Sequence, residues 1–271
     1  VDDLTGRVAV ITGGGSGIGR ATALALAREG ARVLVTDVDA SRADAVAEEA
    51  RAGGGEAYGL RCDVSADSDV ARARDQAVEH FGGVDIVMNN VGILALGMPE
   101  VIPPGAWQRL LDVNVVSIAR SLNVFLPGLL AQGSGHIVNT ASTAGLFGYS
   151  YERLPYSASK GAVVALSEAL VLYTRPRGVG VTVLCPGPVA TNIIEQVQVF
   201  GEVGKVHPPT LPLLDPAVVG AQVCDAIRHD TFFLATHAEV HDILVQRAQD
   251  PEAFVDGQVA RLVAEDARGL T

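Results

Sequence analysis

The chain has 271 residues, 48% of them hydrophobic, with 31 acidic against 20 basic side chains and a formal net charge of −11. That acidity, with no basic run, argues against nucleic acid as a partner, and the apolar content is too high for a disordered chain. Three cysteines, Cys62, Cys185 and Cys224, are far apart and odd in number, giving neither a disulfide framework nor a metal-ligand spacing, and so a reducing compartment is expected.

Residues 7–12 form a short apolar run, read as a buried strand. It runs straight into glycines, too soon for a signal peptide or a membrane span. A cytoplasmic protein with no membrane partner is therefore expected. Gly13-Gly14-Gly15-Ser16-Gly17-Ile18-Gly19 follows, then an alanine- and leucine-rich helix to Glu29, closed by Gly30, and a second buried strand over 32–37. Strand, glycine loop, helix and strand make a βαβ unit. The alternation continues with a helix near 41–52, a strand near 56–62, a helix near 67–81 and a strand at 84–89. A long helix within 105–131 precedes a strand at 136–140, then a helix carrying Tyr156, with Pro155 in its first turn and Pro176 and Gly178 after its end. A strand at 179–184, a helix near 216–229 and a last strand near 232–235 complete the pattern.

Uninterrupted alternation of this kind implies a seven-stranded, mostly parallel sheet with helices on both faces: one doubly wound α/β domain of Rossmann type over residues 1–271. Residues 192–214 have no clear period and hold several glycines and prolines, which suits a substrate lid. The tail, 238–271, looks helical. His237 and His241 are the only histidines at helical spacing; with no third ligand nearby they make a poor metal site and read as a surface helix.

The glycine loop has the context that gives such a pattern meaning, since it ends a strand and opens a helix. Five glycines in seven residues let backbone approach a pyrophosphate, and the helix N-terminus offers it free amides. Asp37 closes the second strand, where a carboxylate can bind both adenosine ribose hydroxyls and repel a 2′-phosphate. Ser16 and Val38 are uncharged; Arg42 is the one nearby cation. The reading is NAD rather than NADP. Tyr156 and Lys160, four residues apart, lie on one helix face. An ammonium beside a phenol favours the phenolate, and a phenol so tuned can exchange a proton with a ketone or alcohol oxygen.

Thr12-Gly13-xxx-Gly17-x-Gly19, Asp63, Asn89-Asn90-Val91-Gly92, Asn114, Ser142, Tyr156-xxx-Lys160 and Pro186-Gly187-Pro188-Val189-Ala190-Thr191 together resemble the short-chain dehydrogenase/reductase family, in the family's order. The resemblance implies roles. Tyr156 is then the acid/base, and Lys160 lowers its pKa and binds the nicotinamide ribose. Ser142 donates to the substrate oxygen, and Asn114 holds a water of the proton relay. Gly13, Ser16, Gly17, Ile18 and Gly19 face the pyrophosphate, and Asp63 and Val64 the adenine. Asn90, Val91 and Gly92 pass the adenosine ribose, while Pro186, Gly187, Val189 and Thr191 enclose the nicotinamide amide and phosphates. The resemblance also implies a homotetramer or homodimer built on the 105–131 and Tyr156 helices.

Two departures stand out. Val91 replaces the usual alanine, and Ser142 and Tyr156 are about one residue further apart than is common, so the stretch 149–154 is expected to bulge at the substrate mouth. Pocket candidates are Ile93, Leu94, Leu96 and Met98, Ser142, residues 143–147 starting at Thr143, Tyr149, Tyr151, Tyr156, Val189 and the lid. They suggest an apolar or bulky small-molecule substrate with one carbonyl or secondary hydroxyl. The expected activity is an NAD-dependent alcohol dehydrogenase or ketone reductase; the alternatives are an NADPH-dependent 3-oxoacyl-type ketoreductase and a dinucleotide sensor without catalysis.

Overall fold

The computed structural model describes residues 3–268; residues 1–2 and the last three of the expected tail lie outside them. In chain order the elements are β1 (Val8–Thr12), α1 (Gly17–Arg28), β2 (Arg32–Asp37), α2 (Ala40–Ala52), β3 (Glu56–Arg61), α3 (Asp67–Phe81), β4 (Ile86–Asn89) and β5 (Ala95–Gly97). They continue with α4 (Pro104–Leu111), α5 (Ser117–Gln132), β6 (Gly135–Thr140), α6 (Leu154–Thr174), β7 (Val179–Cys185) and β8 (Gln198–Phe200). Then come α7 (Pro216–Arg228), β9 (Phe233–Ala235), α8 (Glu239–Gln249) and α9 (Pro251–Arg268).

Seven strands form one sheet in the order β3-β2-β1-β4-β6-β7-β9, and every pairing in it is parallel. Strands β1, β6 and β7 are buried along their whole length, as unbroken apolar runs must be when helices cover both faces. One face packs α1, α2 and α7 around Leu26, Val46 and Val223. The other packs α3, α5 and α6 around Ala73, Phe125 and Leu170. The connections turn outward in opposite directions on either side of β1 and β4, so a crevice opens between the carboxyl ends of these two strands.

Three expectations need correction. The helix within 105–131 is two helices joined by a π turn, Asp112–Val116, which carries Asn114. By length and composition alone the run Pro104–Gln132 could cross a membrane, but here it packs in the fold against α3 and α6. The 192–214 segment is less irregular than expected: it holds a 3-10 turn, Asn192–Gln196, and strand β8, which pairs in parallel with β5. Three-residue strands carry too few positions for a period to be read. His237 lies buried beneath the site, between Thr236 Oγ1 and the Pro212 carbonyl, both at 2.8 Å, and not on a surface helix.

One core residue carries a pH signature. His136 on β6 is buried, its Nε2 2.8 Å from Thr182 Oγ1, and burial pushes its pKa from 6.5 down to about 3. The folded chain keeps this ring neutral, whereas the unfolded chain protonates it as pH falls below 6.5. Stability is therefore lost between those two values, by roughly 1.4 kcal/mol per pH unit. Urea denaturation from about pH 6 to about pH 4 is expected to show a shallower acid decline for His136→Gln than for wild type. Parallel declines would contradict this assignment.

Candidate active site

The crevice widens into a cleft of about 1220 Å³ lined from the glycine loop to Tyr156. At one end Gly13 and Gly17 adopt φ of +62° and +53°, the left-handed region that glycine enters without a Cβ clash. A Cβ on Gly19 would stand 2.2 Å from the Gly13 carbonyl, so this glycine lets α1 approach the loop. Ser16 caps α1 without a side-chain hydrogen bond, and the amides of a first turn have no partner within their helix. Gly13, Ser16, Gly17 and Ile18 line the cleft; Gly19 lies behind them. Asn90 ties β4 to this loop, its amide donating to Thr12 Oγ1 at 3.1 Å and its Nδ2 to the Gly13 carbonyl at 3.2 Å. The departure at Val91 is accommodated there, since Val91 packs against Gly13.

Asp37, at the end of β2, lines the cleft, and its Oδ2 accepts from the Gly15 amide at 3.1 Å. A Cβ on Gly15 would crowd that carboxylate at 2.8 Å. Arg42 is already matched, with Glu195 at 3.2 Å and Asp39 at 3.7 Å. Asp63 also lines the cleft, beside Val64. Its carboxyl lies below the usual aspartate value, chiefly because the Ser65 hydroxyl and amide donate to it.

At the other end Tyr156, Ser142 and Lys160 share the cleft floor with Thr143 and Gly92. Lys160 Nζ donates to the Thr140 carbonyl at 2.7 Å and stands 5.7 Å from the Tyr156 ring centre. Burial pushes Lys160 down to about 8 and Tyr156 up to about 12; the Ser142 hydroxyl pulls the tyrosine back in part. The expected lowering of Tyr156 by Lys160 is thus absent in the chain alone. Desolvation of the phenol outweighs an ammonium that lies over the ring and bonds elsewhere. The Ser142 hydroxyl accepts from the Ala144 amide at 3.1 Å.

Asn114 is buried behind the floor and does not line the cleft. Its Oδ1 accepts from the Ile93 amide at 2.8 Å, and its Nδ2 donates to the Ile93 carbonyl and to Ser159 Oγ at 3.1 and 2.9 Å. With both amide protons committed, its side chain braces the turn after β4 against α6.

Pro186, Gly187, Val189 and Thr191 close the cleft, and His237 packs under Gly187. Of the pocket candidates, Ile93, Leu94, Thr143 and Tyr149 line it. Leu96, Met98, residues 144–147 and Tyr151 do not; the Tyr151 hydroxyl turns away to Asp266 at 3.1 Å. The 192–214 segment lines it too, through residues that include Ile193, Val197, Pro209 and Leu213. Arg153, from the 149–154 stretch expected at the mouth, also lines the cleft, as does Arg109, which gave no signal in the sequence because it is one arginine among many until the fold places it.

The family model described as short chain dehydrogenase matches residues 7–199. Cyclohexanol dehydrogenase of Acinetobacter sp. (strain SE19) is 37% identical over 203 residues, covering 74% of this chain and 80% of that protein. D-beta-hydroxybutyrate dehydrogenase of Cupriavidus necator is 35% identical over 197 residues, 71% of this chain and 74% of that protein. Among solved structures, a short chain dehydrogenase/reductase from Burkholderia phymatum in complex with NAD has a TM-score of 0.82 at 33% identity. That match covers 93% of this chain and 96% of the other.

Proposed function

The chain belongs to the short-chain dehydrogenase family, and from that premise we propose that it is an NAD-dependent oxidoreductase interconverting a secondary alcohol and a ketone. The observation that carries this reading is one cleft holding both an open glycine cradle and the Ser142, Tyr156 and Lys160 group. The cradle fits a dinucleotide: its left-handed glycines and uncommitted helix amides suit a pyrophosphate. Asp37 supports an unphosphorylated ribose, and Arg42, the nearest cation in sequence, is paired with Glu195 and Asp39. When bound, the nicotinamide supplies or accepts the hydride.

The chain's own residues handle the proton. Tyr156 gives its hydroxyl proton to the oxygen of a ketone, or takes one from an alcohol. Ser142 donates to the same oxygen, where negative charge develops. Lys160 would hold the nicotinamide ribose and keep a positive charge behind the phenol. Asn114 keeps the Ile93 turn and α6 in register, and we propose that it orders the relay water through them. Ile93, Leu94, Tyr149 and Val189 make an apolar wall, which supports a bulky apolar substrate. Cyclohexanol with NAD is expected to yield NADH at rates far above those with small polyols such as glycerol. Turnover confined to such polyols would contradict the substrate class.

The chain is further proposed to work in the cytoplasm, where its three buried thiols stay reduced, and as a homotetramer or homodimer. Leu172 and Tyr173 on α6 are 78% and 50% exposed, and Leu111 and Val116 on the α4–α5 run 37% and 42%. Apolar residues so placed on two neighbouring helices call for a cover. Light scattering is expected to give a mass of two or four chains; a monomer at micromolar concentration would contradict the assembly.

A further inference from the structure

The stretch that lengthens the Ser142–Tyr156 interval ends in a charge cluster that the proton chemistry does not use. His207, in the loop after β8, is fully buried. Its Nδ1 meets Oε1 of buried Glu152, which also accepts from the His207 amide at 3.0 Å. Its Nε2 lies 3.0 Å from Oδ1 of Asp266 on α9. The Tyr151 ring stands 5.4 Å from the imidazole, and its hydroxyl donates to the other Asp266 oxygen at 3.1 Å. Three segments far apart in sequence meet at this one side chain.

Each ring nitrogen of His207 thus faces a carboxylate oxygen, and the one imidazole ties Glu152 to Asp266. Burial opposes the charge on Glu152, but hydrogen bonds from Ser150 and His207 outweigh it and hold the carboxyl below the usual glutamate value. Further ties join the same three segments. Arg153 Nη2 donates to the His207 carbonyl at 2.9 Å, Lys205 Nζ to the Glu265 carbonyl at 2.7 Å, and Arg261 to the Tyr149 carbonyl. Tyr149 and Arg153 line the cleft, as does Pro209 from the same loop. The Arg153 guanidinium sits 5.3 Å from the Tyr149 ring centre. The cluster therefore stands directly behind the wall of the substrate mouth.

We propose that His207, held between Glu152 and Asp266, is a positioning residue: it clasps the 201–214 loop and α9 onto the 149–154 stretch, and thereby fixes Tyr149 and Arg153 in the substrate-binding wall. Helix α9 is then part of the specificity apparatus, although among its described residues none lines the cleft. The kinetic consequence rests on the oxidoreductase reading; the clasp itself does not.

Two readouts separate these claims. The sequence holds only two lysines, Lys160 and Lys205, and Lys160 is buried whereas Lys205 is exposed. Cutting of the native chain by a lysine-specific endoproteinase thus reports opening of the loop at Lys205. Glu152→Gln and Asp266→Asn are expected to be cut at least about tenfold faster than wild type, with NADH affinity unchanged and Asp266→Glu restoring slow cutting. Asp266 is 43% exposed, so its substitution leaves the fold intact even where Glu152→Gln does not. With cyclohexanol and NAD, Asp266→Asn is expected to raise KM about tenfold while kcat stays within about twofold. Cutting rates equal to wild type would overturn the clasp. Faster cutting with unchanged KM would overturn its positioning role. Absence of cyclohexanol turnover in wild type would count against the functional reading alone, and the cutting rates would still decide the clasp.

Discussion

Replacing Tyr156 with phenylalanine is expected to lower kcat by about 10²–10⁴-fold, the usual contribution of a positioned acid or base. The substitution removes one oxygen from a buried side chain, which leaves the ring packed among Leu146, Phe147 and Tyr149. Stability and NADH affinity should therefore stay close to wild type, so that the loss falls on chemistry alone. Because burial holds this phenol high, at about 12, alcohol oxidation should gain rate as pH rises and the phenolate becomes populated. Ketone reduction needs the protonated phenol and should hold its rate over the same range. Activity of the variant equal to wild type would remove Tyr156 from the mechanism.

Lys160→Met carries the second large effect, expected as a fall in kcat/KM of about a hundredfold with weaker NADH binding. Methionine keeps the length of the stem and loses the charge. In the chain alone the ammonium bonds to the Thr140 carbonyl, and Gly92 has no side chain that could crowd it: a Cβ there would stand 3.0 Å from Nζ. Burial has already lowered this amine to about 8, which still leaves it mainly charged at neutral pH. Because Lys160 does not lower the tyrosine in the chain alone, a move of the oxidation profile to more alkaline pH is expected from the cofactor-bound enzyme, where the cation would favour the phenolate. A variant that lost activity with an unshifted profile and normal NADH affinity would reduce Lys160 to a packing role.

The frame of the molecule was legible because its elements are long and strongly patterned. Buried strands such as Val8–Thr12 and Val179–Cys185 are unbroken apolar runs, and the helices between them repeat apolar residues with helical spacing. The glycine loop and the Tyr156–Lys160 spacing were legible for a different reason: each is a local pattern whose chemistry depends on neighbours in sequence. What escaped depends on distant contacts. Strands β5 and β8 exist only because residues about a hundred positions apart pair. The buried site of His237 is set by Pro212 and Gly187, neither of them adjacent to it. The neighbours of Tyr151 in sequence point it toward the substrate, but Asp266, more than a hundred residues on, holds its hydroxyl. The high pKa of Tyr156 escaped too, because desolvation is a property of the packed interior and spacing along a helix carries only the partner.

We propose that one cleft takes a nicotinamide dinucleotide with an unphosphorylated ribose at Asp37. The most direct test is a binding titration of the purified chain, freed of copurified nucleotide, with NADH and NADPH side by side. Clear preference for NADH is expected. Tighter binding of NADPH would show that Arg42 leaves its carboxylates for the phosphate and would favour the ketoreductase reading, and binding of neither nucleotide would contradict the reading of the glycine loop.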